Sequence, residues 1–318
     1  MKLSRRHFLY AAGSIAAVST APRAAHALLG PALLDPTKKL TYFDMKQAHG
    51  PSGIRIGYAA ITWGDDLTGA MSDISSLGYK GIQLRANAVK LIPDPAVIKE
   101  KLAAANLIFT ALSSGDIALD PSEETANLAM HEDHAKYLSA AGGMYLQVLG
   151  TFRTDGKFTS DEYIRTGKLL TEIGKRAQDH GVQIAFHNHM GSIAQSPEQL
   201  ARILDAADPR YVKLLLDVAH YKQGGGDPAA AVHQYAHRLL FVHFKDVKPT
   251  DTSSGYEFVE LGQGTVDLPA VVSALRAIHF HNWAMVEFDR EPKGSTRTPK
   301  ESAELSKTYI EHTLGLQV

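Results

Sequence analysis

The stretch Val182-Gln183-Ile184-Ala185-Phe186-His187-Asn188-His189-Met190-Gly191 decides the fold of this chain. It begins as an apolar run typical of a β-strand and ends in two histidines and a glycine. Side chains alternate between the two faces of a strand, so His187 and His189 point the same way, about 7 Å apart. Two imidazoles on one face at a strand end indicate a metal or proton-transfer site. The alternative is a pair of ordinary loop histidines.

The same pattern, an apolar strand followed by a helical segment, recurs along the chain from residue 54 onward. The sequence predicts strands at 54–59, 81–85, 107–112, 144–149, 182–189, 212–217, 239–244 and 283–287. Near-continuous apolar strands that alternate with helices are typical of a parallel sheet covered on both sides. They predict one (β/α)₈ barrel over residues 51–318. A doubly wound open sheet is disfavoured, because Trp63-Gly64-Asp65-Asp66 is not a glycine-rich dinucleotide turn.

The composition narrows the chemistry that the chain can perform. Its 318 residues include no cysteine, which excludes disulfides, thiolate metal sites and cysteine nucleophiles. Histidine, aspartate and glutamate therefore remain as candidate metal ligands. The formal net charge is -1 and the sequence contains no basic block, so nucleic acid is not expected as a partner.

The N-terminal residues have the pattern of an export signal. Ser4-Arg5-Arg6-His7-Phe8-Leu9 resembles a twin-arginine motif, and Ala25-His26-Ala27 has the form of a signal-peptidase site. We therefore predict a signal peptide over 1–27, an arm over 28–50, and a periplasmic or secreted protein. A membrane-spanning helix is disfavoured, because the apolar stretch is short and rich in small residues. No membrane span is expected once the signal is removed.

Polar residues at the predicted strand ends mark the candidate site, since the active site of such a barrel lies at the C-terminal ends of its strands. Strand six ends in Asp217, strand seven carries His243 and Lys245, and strand eight ends in Glu287. Together with strand five they predict four metal ligands, namely Asp217, His243, Glu287 and His187. This mixed oxygen and nitrogen set suits Mn²⁺, Zn²⁺, Co²⁺ or Mg²⁺, of which we favour Mn²⁺. Helix caps and rim salt bridges are the alternative interpretation.

Other polar and aromatic residues near strand ends are candidates for substrate binding. Gln83 and Arg85 share one face of strand two, and Gln147 lies on strand four. We expect them to bind sugar hydroxyls, although Arg85 could instead pair with a rim carboxylate. Trp63 could stack on a sugar ring, and a core aromatic is the alternative. Four histidines lie away from strand ends and are predicted to be surface residues, namely His131, His134, His279 and His281.

Five segments carry a resemblance to a known family: 186–191, 216–220, 242–247, 261–267 and 286–289. Over 51–318 the chain resembles the xylose-isomerase-like TIM-barrel superfamily of sugar isomerases, epimerases and inosose dehydratase. The His-x-His-Met-Gly and His-x-Lys-Asp-Val segments are most similar to inosose dehydratase. The resemblance implies metal ligands at Asp217, His243 and Glu287, and substrate contact by His220. Epimerases have a proton-moving glutamate where this chain has His187, so a two-glutamate shuttle is not implied.

These observations predict a divalent-metal-dependent lyase or dehydratase acting on an inosose or a 3-keto-glycoside through a metal-stabilised enediolate. The base would be His187, His189 or Lys245, with Glu287 also catalytic. A sugar isomerase or epimerase is the main alternative, because the same site can return the proton to carbon. A non-catalytic sugar-binding barrel is a weaker one. A phosphodiester hydrolase is disfavoured by the lack of a basic groove and of a second full ligand set. The expected partner is a small sugar or cyclitol, and homo-oligomerisation is left open.

Overall fold

The computed structural model describes residues 53–289 and 296–318, and the predicted signal peptide and arm lie outside these residues. Eight parallel strands close into a barrel in the order β1-β10-β7-β6-β5-β4-β3-β2. They are β1 Arg55–Ala59, β2 Gly81–Arg85, β3 Ile108–Asp116, β4 Tyr145–Leu149, β5 Gln183–His187, β6 Val212–Asp217, β7 Leu239–Phe244 and β10 Trp283–Val286. The predicted (β/α)₈ barrel is confirmed.

Helices surround this barrel and connect its strands. They span Leu67–Ser76, Asn87–Leu91, Pro95–Ala104, Glu124–Ala140, Ser160–Asp179, Pro197–Ala206, Val218–Gln223, Pro228–Gln234, Leu268–Ala277 and Pro299–His312. An antiparallel hairpin of β8 Asp246–Pro249 and β9 Tyr256–Val259 follows β7, and the sequence did not predict it. Among the described residues, the helices are too short or too polar for any of them to cross a bilayer.

The barrel interior is built in two layers that follow from the two-residue repeat of a strand. The lower layer is apolar and contains Ala111, Tyr145, Ala185, Leu215, Phe241 and Met285. Two residues further along each of these strands, the same inward face carries polar side chains, namely Ser113, Gln147, His187, Asp217, His243 and Glu287. The polar layer therefore rests on a packed floor at the C-terminal mouth of the barrel.

Gly81 at the start of β2 makes room for Trp283, which belongs to the same apolar layer. A β-carbon at this position would lie 2.6 Å from the indole of Trp283. Trp283 is almost completely buried, so it could not move aside without opening a cavity. The sequence places a glycine where the backbone of β2 must approach the Trp283 ring.

The helix Glu124–Ala140 corrects one prediction about histidines. His131 is fully buried, and its Nδ1 lies 2.6 Å from Oγ of Ser114 on β3. His134 is half-buried and its Nδ1 lies 2.9 Å from the same oxygen, whereas His279 and His281 are exposed. His131 belongs to the apolar stripe of its helix, with Leu128, Ala135 and Leu138 at spacings of three and four residues. This periodicity was the signal that would have placed it in the core.

Candidate metal centre

Four side chains from four neighbouring strand ends converge at the barrel mouth, as the sequence predicted. The ligand-type atoms of His187, Asp217, His243 and Glu287 all lie within 4.8 Å of one another, and all four residues are buried. Oδ2 of Asp217 is 3.5 Å from Nε2 of His187 and 3.6 Å from Nδ1 of His243. Oε2 of Glu287 is 3.0 Å from that same Nδ1.

Three atoms of this cluster are buried polar atoms that make no hydrogen bond. They are Nε2 of His187, Oδ2 of Asp217 and Nδ1 of His243. Buried polar atoms are nearly always paired, because an unpaired one costs roughly 1–3 kcal/mol. Three such atoms within 4.8 Å of one another fit a cation, and the donor set of imidazole and carboxylate suits a divalent metal. The residues therefore fit the metal that the sequence led us to expect.

The local backbone explains why Asp217 presents one oxygen to the cluster. Asp217 is the N-cap of the helix Val218–Gln223, and its Oδ1 accepts hydrogen bonds from the N–H groups of Ala219 and His220. Asn188 fixes the same residue from strand five, because its amide bonds both N–H and C=O of the Asp217 backbone. Asp217 is thus held through both its carboxylate Oδ1 and its backbone, with Oδ2 left toward the metal position. The role of Asn188 was not foreseen.

Two buried glutamines connect the two histidines of the cluster. Nε2 of His243 lies 2.9 Å from Oε1 of Gln83, and Nε2 of Gln83 donates to Oε1 of Gln147. Nε2 of Gln147 in turn lies 3.0 Å from Nδ1 of His187. Gln83 and Gln147 were predicted to bind substrate hydroxyls. They line the cavity, and they also orient both imidazoles from behind.

Lys245 is a fully buried cation beside the cluster. Its Nζ lies 2.8 Å from Oδ2 of Asp289, 2.9 Å from Oε2 of Glu287 and 3.6 Å from Oδ2 of Asp217. Burial alone would lower the pKa of Lys245, but these three carboxylates outweigh it and raise that pKa. Lys245 therefore keeps its charge, which removes it from the three residues that the sequence offered as the base.

A second group of ligand-type side chains lies next to the first. Atoms of His189, His220 and Asp289 lie within 4.8 Å of one another, although the sequence had indicated no second full ligand set. Nε2 of His220 is 3.1 Å from Nζ of Lys245, so an ammonium already occupies this side of the site. Nδ1 of His220 accepts a hydrogen bond from the N–H of Met190. Both ring nitrogens of His220 thus face N–H donors of the protein, so neither is directed at an open metal position.

The pKa values of the histidines separate into two kinds. Burial lowers the pKa of His189 to about 4, and it lowers the pKa of His187 and His220 as well. Burial would also lower the pKa of His243, but Glu287 and Asp217 reverse the shift and raise it to about 9. Three histidines are thus neutral at pH 7, while His243 carries the proton that a metal ion would displace.

A cavity of about 460 Å³ opens beside the cluster. Its lining includes His187, His189, Glu287, Gln83 and Gln147, and it extends to Arg85, Asn87, Asp116 and Phe152 at the strand ends of β2 to β4. Trp63 is not among the lining residues. Its indole N–H donates to Asp73, and its ring packs edge-on against Tyr58. Trp63 is partly buried and packs against the hydrophobic core, which agrees with the core-aromatic alternative that the sequence allowed.

The hairpin of β8 and β9 covers the Lys245 and His220 side of the site, and none of its residues lines this cavity. The Phe258 ring lies 4.3 Å from Nζ of Lys245, and its centroid is 4.9 Å from that of His220. Asp246 anchors the hairpin to the following loop. Its carboxylate accepts N–H groups from four residues, namely Val247, Gly262, Gly264 and Val266. The loop 262–266 therefore directs its backbone N–H groups to the carboxylate of Asp246.

The fold and the site together define a (β/α)₈ barrel with a buried histidine and carboxylate cluster at its mouth. A family model described as xylose isomerase-like TIM barrel matches residues 71–309, which is more than half of the chain. The chain belongs to this family.

Two of the relatives that the chain resembles in sequence are named inosose dehydratase. The chain is 27% identical over 299 residues to inosose dehydratase of Lacticaseibacillus casei, covering 83% of this chain and 98% of that protein. It is 26% identical to inosose dehydratase of Clostridium botulinum strain Alaska E43, with the same coverage. Among solved structures, the zinc-containing IOLI protein matches with a TM-score of 0.70 at 20% identity, covering 82% of this chain and 98% of that one. An L-ribulose 3-epimerase matches with a TM-score of 0.67 at 18% identity, covering 83% and 95%. These structures confirm the fold.

Proposed function

We propose that the protein is a divalent-metal-dependent lyase that eliminates water or an aglycone beside the carbonyl of an inosose or a 3-keto-glycoside. The observation that carries the proposal is the convergence of three unpaired buried atoms, on His187, Asp217 and His243, beside a cavity of sugar-binding size. The relatives named inosose dehydratase support the same reaction class.

The metal position is bounded by Asp217, His243 and Glu287, with His187 facing it from strand five. A divalent ion held there supplies a Lewis acid that polarises the substrate carbonyl and makes the neighbouring C–H more acidic. Charge balance favours a single ion. The three carboxylates of Asp217, Glu287 and Asp289 are offset by Lys245 together with one divalent cation. Mn²⁺, Zn²⁺, Co²⁺ and Mg²⁺ all meet this requirement, and we retain Mn²⁺ as the first to test.

His189 is the residue best placed to act as the base. Its Nδ1 lies 2.7 Å from the carbonyl oxygen of Met190, which requires the proton on Nδ1 and leaves a lone pair on Nε2. The ring lines the cavity and is neutral at pH 7, because burial lowers its pKa to about 4. We propose that Nε2 removes the proton next to the carbonyl. The electron pair of that C–H bond forms the C=C bond as the C–O bond breaks, and the His189 imidazolium returns its proton to the leaving oxygen.

Elimination is preferred to isomerisation because strand five presents His187 where the resemblance to epimerases requires a glutamate. An isomerase or epimerase remains the second candidate, favoured by the shared fold of the L-ribulose 3-epimerase. We also propose export, on the twin-arginine pattern of residues 1–27 alone. Export to the periplasm would favour an unphosphorylated sugar as the substrate.

The test is to incubate the Mn²⁺-loaded protein with an inosose and with a 3-keto-glucoside in heavy water and to follow product mass. Loss of water or of the aglycone supports the lyase. Unchanged connectivity with one deuterium gained at carbon would make the protein an isomerase or epimerase. Protein treated with a chelator is the matched control, and full turnover by that sample would contradict a metal-dependent reaction.

A further inference from the structure

The amide pair of Gln83 and Gln147 imposes a direction on the hydrogen bonds behind the metal cluster. The chain of contacts runs from His243 through Gln83 and Gln147 to His187, and both glutamines are only 3% exposed. We infer that this pair gives His243 and His187 opposite tautomers, so that His243 binds the metal while His187 presents an N–H group to the substrate. The inference rests on the metal centre of the proposed function.

The reason is that a primary amide has an acceptor end and a donor end. Two amides bonded head to tail therefore offer an oxygen at one end of the pair and an N–H group at the other. We call the ring nitrogen that faces a glutamine the outer nitrogen, and the one that faces the metal cluster the inner nitrogen. The histidine whose outer nitrogen meets the amide oxygen donates a hydrogen bond from it, so its inner nitrogen has the lone pair. The histidine that meets the N–H group accepts on its outer nitrogen, and a neutral ring then has its proton on the inner nitrogen.

Reversing both amides exchanges the two histidines but never gives both an inner lone pair. Reversing one amide alone would place two NH₂ groups, or two oxygens, face to face between Gln83 and Gln147. In a buried pair that arrangement sacrifices a hydrogen bond and adds repulsion. The two histidines consequently have opposite tautomers in both orientations of the amide pair.

The surroundings of the two inner nitrogens decide which histidine has the lone pair. Nδ1 of His243 lies between two carboxylates, 3.0 Å from Glu287 and 3.6 Å from Asp217, and His243 does not line the cavity. Nε2 of His187 lies 3.5 Å from Oδ2 of Asp217, which among the described residues is its one carboxylate neighbour within 4.0 Å, and His187 does line the cavity. A lone pair fits the first position, inside the ligand set. A donor N–H fits the second, beside the substrate.

This arrangement assigns three protein ligands to the metal, namely Asp217, His243 and Glu287, and leaves coordination positions open to substrate oxygens. His187 becomes a catalytic hydrogen-bond donor of the neutral-imidazole kind, which can polarise a substrate oxygen without carrying charge. Gln83 and Gln147 are positioning residues, because they act through the two histidines.

The experiment counts imidazole nitrogens on bound Mn²⁺ by pulsed electron paramagnetic resonance, with ¹⁵N-histidine labelling to identify them. The wild type should show one coordinated imidazole. Gln147→Glu should show two and bind Mn²⁺ about tenfold more tightly, because a carboxylate accepts from both Gln83 and His187 and so frees the inner nitrogen of His187. Gln234→Glu adds the same charge at an exposed helix end and should show one.

Two coordinated imidazoles in the wild type, or a single one in correctly folded Gln147→Glu, would overturn the inference. If Gln147→Glu does not fold, the Mn²⁺ affinities of His187→Ala and His243→Ala decide. We expect a change of less than about threefold in the first and a loss of more than about a hundredfold in the second. Equal losses would overturn the inference. If the wild type binds no divalent metal, the proposed metal centre is wrong. That result is distinguishable from an error in the assignment of the tautomers.

Discussion

Nζ of Lys245 lies 2.9 Å from Oε2 of Glu287, the same oxygen that is 3.0 Å from Nδ1 of His243. One carboxylate oxygen therefore joins the metal cluster to a buried ammonium group. Each cation lowers the pKa of Glu287, which burial alone would raise, so the carboxylate is ionised at neutral pH.

Lys245→Met should keep the metal and lose activity. Removal of the ammonium leaves three carboxylates against one divalent ion, so kcat should fall at least about a hundredfold and stability by about 3–5 kcal/mol. Metal content, kcat and urea unfolding measure these effects. Lys248→Met is the control, because the Lys248 side chain is 44% exposed and forms its ion pair with Glu257 on the neighbouring strand. Unchanged kinetics in Lys245→Met would show that the buried charge has no catalytic role.

His189→Gln should abolish proton removal while sparing the metal. Glutamine keeps a polar group near Met190 but has no basic nitrogen, so kcat should fall about a hundredfold or more. Exchange of the substrate C–H proton with heavy water, followed by NMR, isolates this step. Exchange at the wild-type rate in His189→Gln would exclude His189 as the base.

Asp246→Asn should loosen the hairpin that covers Lys245. Each carboxylate oxygen of Asp246 accepts hydrogen bonds from two backbone N–H groups. The asparagine side chain would place its NH₂ group, which cannot accept, against one of these two pairs. We expect a loss of about 2–4 kcal/mol in the free energy of unfolding. Asp267→Asn is the matched control, because Asp267 is a helix N-cap and asparagine caps equally well. Equal stability of the two variants would contradict this account of Asp246.

His131 should make the barrel sensitive to mild acid. Burial lowers its pKa from 6.5 to about 4. Between these pH values the unfolded chain binds a proton there and the folded chain does not, so stability falls as the pH decreases. The full contribution is about 3 kcal/mol. His131→Phe should flatten the dependence of unfolding free energy on pH in this window, whereas the exposed His312→Phe should not. An unchanged slope in His131→Phe would disprove the assignment.

Much of this structure follows from periodicity in the sequence. The two-residue repeat of each strand places Ala185 and His187, or Phe241 and His243, on one inward face, which predicts both the floor and the ligand layer. Strand five was predicted over 182–189, but it ends at His187. His189 still reaches the cavity, and its ring centroid lies 5.6 Å from that of His187.

Other features depend on contacts between distant segments and have no local signal. The hairpin after β7 is anchored by Asp246 through amides about 20 residues away. Gln83 and Gln147 are separated by 64 residues, and only closure of the barrel brings their amides together. The burial of His131 could be predicted from the apolar periodicity of its helix. The prediction was missed because histidine is a polar residue type.

The metal centre is the central claim, and the most direct test is the number of divalent ions bound per chain. The protein should be loaded with Mn²⁺, dialysed and measured by inductively coupled plasma mass spectrometry, alongside His243→Ala and the exposed control His281→Ala. We predict one ion per chain in the wild type and in His281→Ala, and almost none in His243→Ala. A fully metallated and active His243→Ala would contradict this account of the site.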